Sequence, residues 1–337
     1  MLAYHSPTAQ SAYHDLCRTL QDEEVSDLRG TPTHLTRNGR TYWYDSYRVG
    51  NDLRKRYIGE DSPELAARLQ RQSELAAARK DRDAHRTRLV RILRAEGMVN
   101  TDMGTGALLS ALARAGVFRL GGTIVGTNAF RLYEGELGLP LAFDQMTQTG
   151  DIDIAQFEGL SLALEDQAEP ALAETFKDFD FVPVPALFSH SYWRWKQTRS
   201  NTLVEFLTPS FRPEEDIRPL PALGVSAQSL HFLNFLIAAP IKAAALYRSG
   251  VLVQIPRPEA YAIHKLIVAD RRAGPDRIKA HKDRLQAALL IRALAEDRPA
   301  DLKDAFSDAM SRGPKWVDHI TASLGRLPET AALIAAL

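Results

Sequence analysis

With 337 residues, 45% of them apolar and 25% charged, the chain has the make-up of a globular protein and enough length for two or three domains. Lys plus Arg and Asp plus Glu number 42 each, so no net field draws the molecule toward nucleic acid or membrane, and any such affinity must come from a local patch. The single cysteine, Cys17, excludes an intramolecular disulfide framework and a Cys-rich zinc site.

The first ten residues, MLAYHSPTAQ, have neither the basic start nor the apolar run of a signal peptide, which with the lone cysteine predicts a cytoplasmic protein. Residues 34–60 carry Asn-Gly and Gly-Asn turn signals between aromatic and β-branched runs, the pattern of a small hairpin or meander. A helix is expected from Ser62-Pro63-Glu64 to about Arg94, with Gly97 closing it. Residues 37–94 hold 15 Lys or Arg against 8 Asp or Glu, a local basic excess that fits an anionic partner or an exposed helix face with i,i+4 pairs. Tyr42, Trp43, Tyr44 and Tyr47 read as one face of a small core or as stacking surfaces for bases.

From about 104 to 225, helical and strand-like pieces alternate. ALLSALARAG predicts a helix ending at Gly116, VFRLGGTIVG a strand running into a Gly turn, TNAFRLYEGEL a helix and DIDIA a strand, with GELGLPLAFDQMTQ an insertion or added strand between them. A helix around 170–177 precedes a hairpin from Tyr192–Gln197 to Thr202–Leu207, where Trp193 and Trp195 alternate with Arg194 and Lys196 as on a half-buried strand. The apolar stretch from Ser229 to Tyr247 is interrupted by Asn234, Pro240 and Lys242; it is too broken for a membrane span and reads as a buried helix or helix pair. Beyond the strand VLVQI the chain is mainly helical, with Lys265, Arg271, Arg272, Lys279, Lys282 and Arg284 recurring among apolar residues. His190 and His264 have no second ligand at metal spacing, so core or surface roles are expected of them.

The chemistry lies in three short segments. Asp151 and Asp153, one residue apart on a strand, project to the same side because strand side chains alternate. Glu205, in the strand-like NTLVEFLTP, is the candidate third acid of a hard-oxygen cage suited to Mg²⁺. Upstream, a turn at Gly121, Gly122 and Thr123 between strand and helix would let backbone approach a phosphate, with Thr127 as a further phosphate contact or a helix cap. Two Mg²⁺ ions ~4 Å apart, or Mn²⁺ in their place, would serve in-line phosphoryl transfer.

In this order the segments resemble the signature of the DNA polymerase beta-like nucleotidyltransferase superfamily: a Gly-Gly turn, a strand bearing Asp-x-Asp, and a later acidic strand. The HKLIVADRR…KAHKDRLQAA tail is similar to bacterial branches that include AbiE-type toxins and nucleotidyltransferase-fold proteins of unassigned substrate. The resemblance covers about residues 116–292. It implies that Lys265 contacts a triphosphate while Lys282 and Asp283 line the site. It also implies transfer of a nucleoside monophosphate from an NTP such as ATP to a hydroxyl of RNA, protein or a small molecule, with pyrophosphate released, in a toxin-antitoxin or defence setting. The expected fold is α+β: a hairpin and long-helix extension (1–115), a small mixed-sheet catalytic core (116–225) and a mainly helical C-terminal domain completing the nucleotide site (226–337). The competing readings are an inactive nucleotide sensor and a regulatory protein that binds nucleic acid through its hairpin and basic helix.

Overall fold

The computed structural model describes residues 2–26, 31–37, 40–49, 52–63, 65–67, 69, 79–141, 150–164, 166–185, 192–212, 214–274 and 277–337. Helix α1, Pro7–Ser26, begins where Ser6 Oγ accepts the Ala9 N–H at 3.1 Å and Pro7 fills the first turn. Its buried Ala9, Tyr13, Leu16 and Leu20 recur at helical spacing and pack on Leu89, Val90 and Leu93 of α2, Arg79–Ala95, and on Ala244 and Leu246 far along the chain. Tyr13 OH accepts the Ala244 N–H at 3.1 Å, tying the N-terminus to the C-terminal third. Between the helices, β1 (Thr31–Arg37), β2 (Arg40–Val49) and β3 (Asp52–Glu60) form the expected meander, antiparallel throughout. Its two turn dipeptides, Asn38-Gly39 and Gly50-Asn51, lie outside the described residues, as does 70–78 of the long helix expected from Ser62. Of the expected span, residues 63, 65–67 and 69 are helical and α2 covers the last part.

Helix α3, Met103–Arg114, is capped by Asp102, whose carboxylate accepts the Thr105 N–H. The strand expected directly after it is displaced: 115–121 is a succession of turns, and only Thr123–Val125 extends, as β4. Helix α4, Gly126–Leu137, follows without a break and stops at Gly138, φ +65°. Residues 142–149 of the expected insertion lie outside the described residues. The main sheet then gains β5 (Ile152–Ala155), β6 (Phe181–Pro183), β7 (Arg194–Gln197), β8 (Leu203–Ser210), β9 (Ile217–Leu220) and β10 (Val225–His231), with α5 (Glu158–Ala163) and α6 (Leu172–Asp178) between strands. Its order is β4-β5-β8-β10-β9; β7 pairs with the first half of β8 on the edge that β10 takes further on. β5 runs antiparallel to β4 and parallel to β8, so the sheet is mixed and the fold α+β, as expected.

The stretch Ser229–Tyr247 is not a buried helix pair. β10 runs on to His231, α7 is one turn (Leu233–Leu236), and after Pro240 the chain extends as β11, Ile241–Ala245, which pairs antiparallel with β12, Val251–Ile255. A short apolar run buried on both sides serves a strand as well as a helix. The chain ends in α8 (Pro258–Arg271), α9 (Arg277–Asp297), α10 (Pro299–Ser311), α11 (Pro314–Leu324) and α12 (Pro328–Ala335). One apolar core runs from Leu108 to Ile334 and joins the main sheet to these helices. Among the described residues no helix is long and apolar enough to cross a membrane.

Candidate active site

Ile152 and Ile154 are buried in the core, so the alternation of β5 turns Asp153 to the opposite face. The parallel register places Glu205 of β8 beside Asp153, and the antiparallel register places Val125 of β4 on its other flank. Asp151 precedes the strand, two residues from Asp153; its backbone carbonyl accepts from Asn128 Nδ2 at 2.6 Å, which fastens the entrance of β5 to the first turn of α4. That turn begins at Gly126, φ +65°, where a Cβ would overlap Asp153 Oδ2. Only glycine admits both this backbone angle and this approach. Three acids therefore gather beside the N-terminus of a 12-residue helix, whose exposed N–H groups favour anions.

The acids repel one another. Burial, then the charges of Glu205 and Asp151, push the Asp153 carboxyl up from 3.8 to about 7, against the pull of Lys265 and Lys279. On the other edge of β8, Arg194 of β7 stands in register with Glu205, and its Nε lies 2.7 Å from Glu205 Oε1. The same guanidinium sits 4.3 Å above the Trp193 ring. With Glu205 turned to Arg194, no three His, Cys, Asp or Glu side chains among the described residues converge closely enough to cage an ion. A donor set of hard oxygens in which burial and two like-charged neighbours raise one carboxyl nonetheless fits a divalent cation, which would relieve the repulsion among them.

The cations come from α8 and α9. Lys265 is buried, its Nζ 2.6 Å from Asp283 Oδ1 and 5.2 Å from the Tyr261 ring centroid, while Arg272 Nε donates to Asp283 Oδ2 at 2.8 Å. Burial works against the charge on Asp283, but Lys265 and Arg272 outweigh it and hold its carboxyl below the ordinary range. Burial first, then Lys265, lower the Lys282 pKa, with Lys279 and Arg272 adding to the effect. Lys265 and Arg272 thus hold one buried carboxylate with Lys282 near it, and Lys265 and Lys279 act on Asp153. Tyr261 joins the two halves: its hydroxyl lies 2.8 Å from Gly126 O and 3.1 Å from Gln286 Oε1. Burial, then Lys265, push the neighbouring His264 down to about 3, so it is a neutral core residue. His190 lies outside the described residues.

The structure brings together Asp151, Asp153, Glu205, Lys265, Lys282, Asp283 and the start of α4 with Thr127. It places Gly121, Gly122 and Thr123 differently from the expected strand-to-helix turn. Gly121 (φ +94°) and Gly122 lie before β4, where a Cβ on Gly122 would press on the Val117 carbonyl at 2.8 Å. Thr123 is buried, its Oγ1 accepting from Gln254 Nε2 at 3.0 Å and lying 3.3 Å from Gly121 O. The glycine at the strand-to-helix junction is Gly126, not Gly121 or Gly122, and Gly126-Thr127 repeats the Gly-Thr of 122–123. Lys279 stands one turn before Lys282 and Asp283 on α9, while Arg272, just past the end of α8, reaches Asp283 from outside that helix.

A family model described as a nucleotidyltransferase matches residues 103–311, which hold every residue of this site. A second, described only as a domain of unknown function, matches residues 10–67, which span α1 and the meander. No curated protein and no solved structure matches the chain.

Proposed function

The chain belongs to the nucleotidyltransferase family, and from that premise we propose that it is an NTP-dependent enzyme of the polymerase beta-like kind that moves a nucleoside monophosphate onto an acceptor hydroxyl. The acceptor oxygen bonds to the α-phosphorus, the bond to the β-phosphate oxygen breaks, and pyrophosphate leaves. The observation that carries this reading is Asp153, buried beside Glu205 and Asp151 with its carboxyl raised to about 7 and acted on by Lys265 of α8 and Lys279 of α9. One side of the site gathers acids and the other cations, the division that a metal-bound triphosphate fills.

Asp151 and Asp153 would hold Mg²⁺, with Glu205 joining once it leaves Arg194; Mn²⁺ suits the same oxygens. When bound, the ion neutralises phosphate charge and makes the acceptor hydroxyl easier to deprotonate. Lys265, Lys279, Lys282 and Arg272 take the charge of the triphosphate tail, and the N–H groups at Gly126, Thr127 and Asn128 orient its oxygens. Asp283 positions Lys265 and Arg272 and touches no substrate. The division at 115 and 225 then has a functional sense, with acids from the middle segment and cations from the last. The resemblance to AbiE-type toxins supports a toxin or defence role, and the locally basic N-terminal segment favours RNA as the acceptor. One observation favours a nucleotide sensor without turnover, the engagement of Glu205 by Arg194.

Incubation with each of four α-³²P NTPs, Mg²⁺, cellular RNA and protein separates these. Label in a macromolecule with the intact chain and none with Asp153→Asn is the expected result. Tight NTP binding with no label in any macromolecule or small-molecule extract would favour the sensor.

A further inference from the structure

The meander β1–β3 has two unlike faces. In register, Leu35 stands opposite Tyr42, Thr33 opposite Tyr44, Tyr44 opposite Tyr57 and Ser46 opposite Lys55, so these residues share one face. On the other face the His34 ring lies 5.3 Å from that of Trp43 and tilted to it, and Asp45, fully buried, pairs with Arg56 at 3.4 Å. Arg56 lines a cavity of about 260 Å³ together with Leu20 of α1, Arg86 of α2 and Arg114 of α3. The second face therefore looks into the body of the protein, and the first looks out.

The outward face is aromatic. The Tyr57 ring lies 5.7 Å from that of Tyr44 and 6.4 Å from that of Tyr42, tilted to both, and Tyr57 is 41% exposed. Leu53 (61%) and Leu35 (36%) flank it, and Lys55 is exposed. Segment 31–60 carries six Lys or Arg against three Asp or Glu, and one of those acids, Asp45, is buried against Arg56. Tyrosines on one sheet face beside an exposed lysine offer stacking surfaces for bases and an attraction for phosphates. Thr33 Oγ1 and Ser46 Oγ, 2.6 Å apart on the same face, add hydroxyls of the kind that meet a ribose 2′-OH.

We propose that this outward face of β1–β3 docks single-stranded RNA. As the source of the acceptor hydroxyl, the RNA rests on the transfer reading above; as a ligand of the sheet, it does not. Bases stack on Tyr44 and Tyr57, and Lys55 neutralises one backbone phosphate.

The test is fluorescence polarisation of a labelled 20-nucleotide oligo(U) on the full chain, without NTP or divalent metal. Tyr44→Ala/Tyr57→Ala is expected to weaken binding tenfold or more. Tyr44→Phe/Tyr57→Phe, which keeps the rings, is expected to stay within about threefold, and circular dichroism checks that each variant is folded. Lys55→Ala should flatten the slope of log K against log salt by about 0.7, the release of counterion from one phosphate of a single strand. Asp153→Asn should bind oligo(U) as the wild type does, so that loss of transfer and loss of docking are separate results. No binding by the wild type, equal affinity for oligo(dT) or duplex, or indifference to the alanine substitutions would overturn the proposal.

Discussion

Replacing Asp153 by asparagine is expected to destroy the activity and raise the stability. The carboxyl of Asp153 is pushed from 3.8 to about 7 by burial and by two neighbouring acids, so the folded protein holds the Asp153 proton more tightly than the unfolded chain does. At 1.36 kcal/mol for each tenfold in proton affinity, the difference comes to about 4 kcal/mol as a ceiling. Because the folded pKa is the higher one, this contribution is whole below pH 4, falls as pH rises through 7, and above pH 8 the ionised carboxylate is a net burden. Asparagine removes the charge at similar volume. Thermal unfolding at pH 8 should show the variant more stable by about 2 to 4 kcal/mol, and at pH 4 the two proteins should coincide. Millimolar Mg²⁺ should close the gap from the wild-type side alone. A variant no more stable than wild type at pH 8, or an advantage that persists unchanged at pH 4, would refute the electrostatic reasoning.

Three further outcomes are expected. Gly126→Ala puts a Cβ against Asp153 Oδ2 at φ +65°; it should cost about 1 to 2 kcal/mol in stability and about a hundredfold in transfer rate, measured by chemical denaturation and by label incorporation. Lys265→Ala leaves Asp283 buried with Arg272 as its remaining ion-pair partner and should destabilise by about 3 kcal/mol, visible as a lower urea midpoint, while also weakening NTP binding. Gly135→Ala, remote from the site, drives a Cβ into the Tyr13 ring and should cost about 1 to 3 kcal/mol by overpacking without altering the affinity for NTP.

The strands at the centre of the site were legible because their pattern is local. Alternation marks β7 and β8 and sets Asp153 opposite the buried Ile152 and Ile154, while the register that brings Glu205 to Asp153 pairs β5 with β8, strands distant in sequence. The Ser229–Tyr247 stretch was not legible, since alanines and leucines buried from both sides give no periodicity to separate strand from helix. Helix α1 was overlooked although Ser6-Pro7 is a start signal and Ala9, Tyr13, Leu16 and Leu20 keep helical spacing; its partners lie on α2 and β11, remote in sequence. The position of the junction glycine was misread because Gly121-Gly122 and Gly126 look alike in sequence and differ only in whether a strand of three residues lies before or after them. Lys279 needed the folded structure to be singled out, since the carboxylate it faces is more than a hundred residues earlier in the chain.

Arg194 occupies Glu205 before any cation does. A divalent ion that recruits this third acid has to dislodge a guanidinium, so its apparent affinity is its intrinsic affinity scaled by the fraction of molecules in which Glu205 is already released. For the proposed metal-bound nucleotide, the pair would raise the concentration at which the site fills without steepening the response.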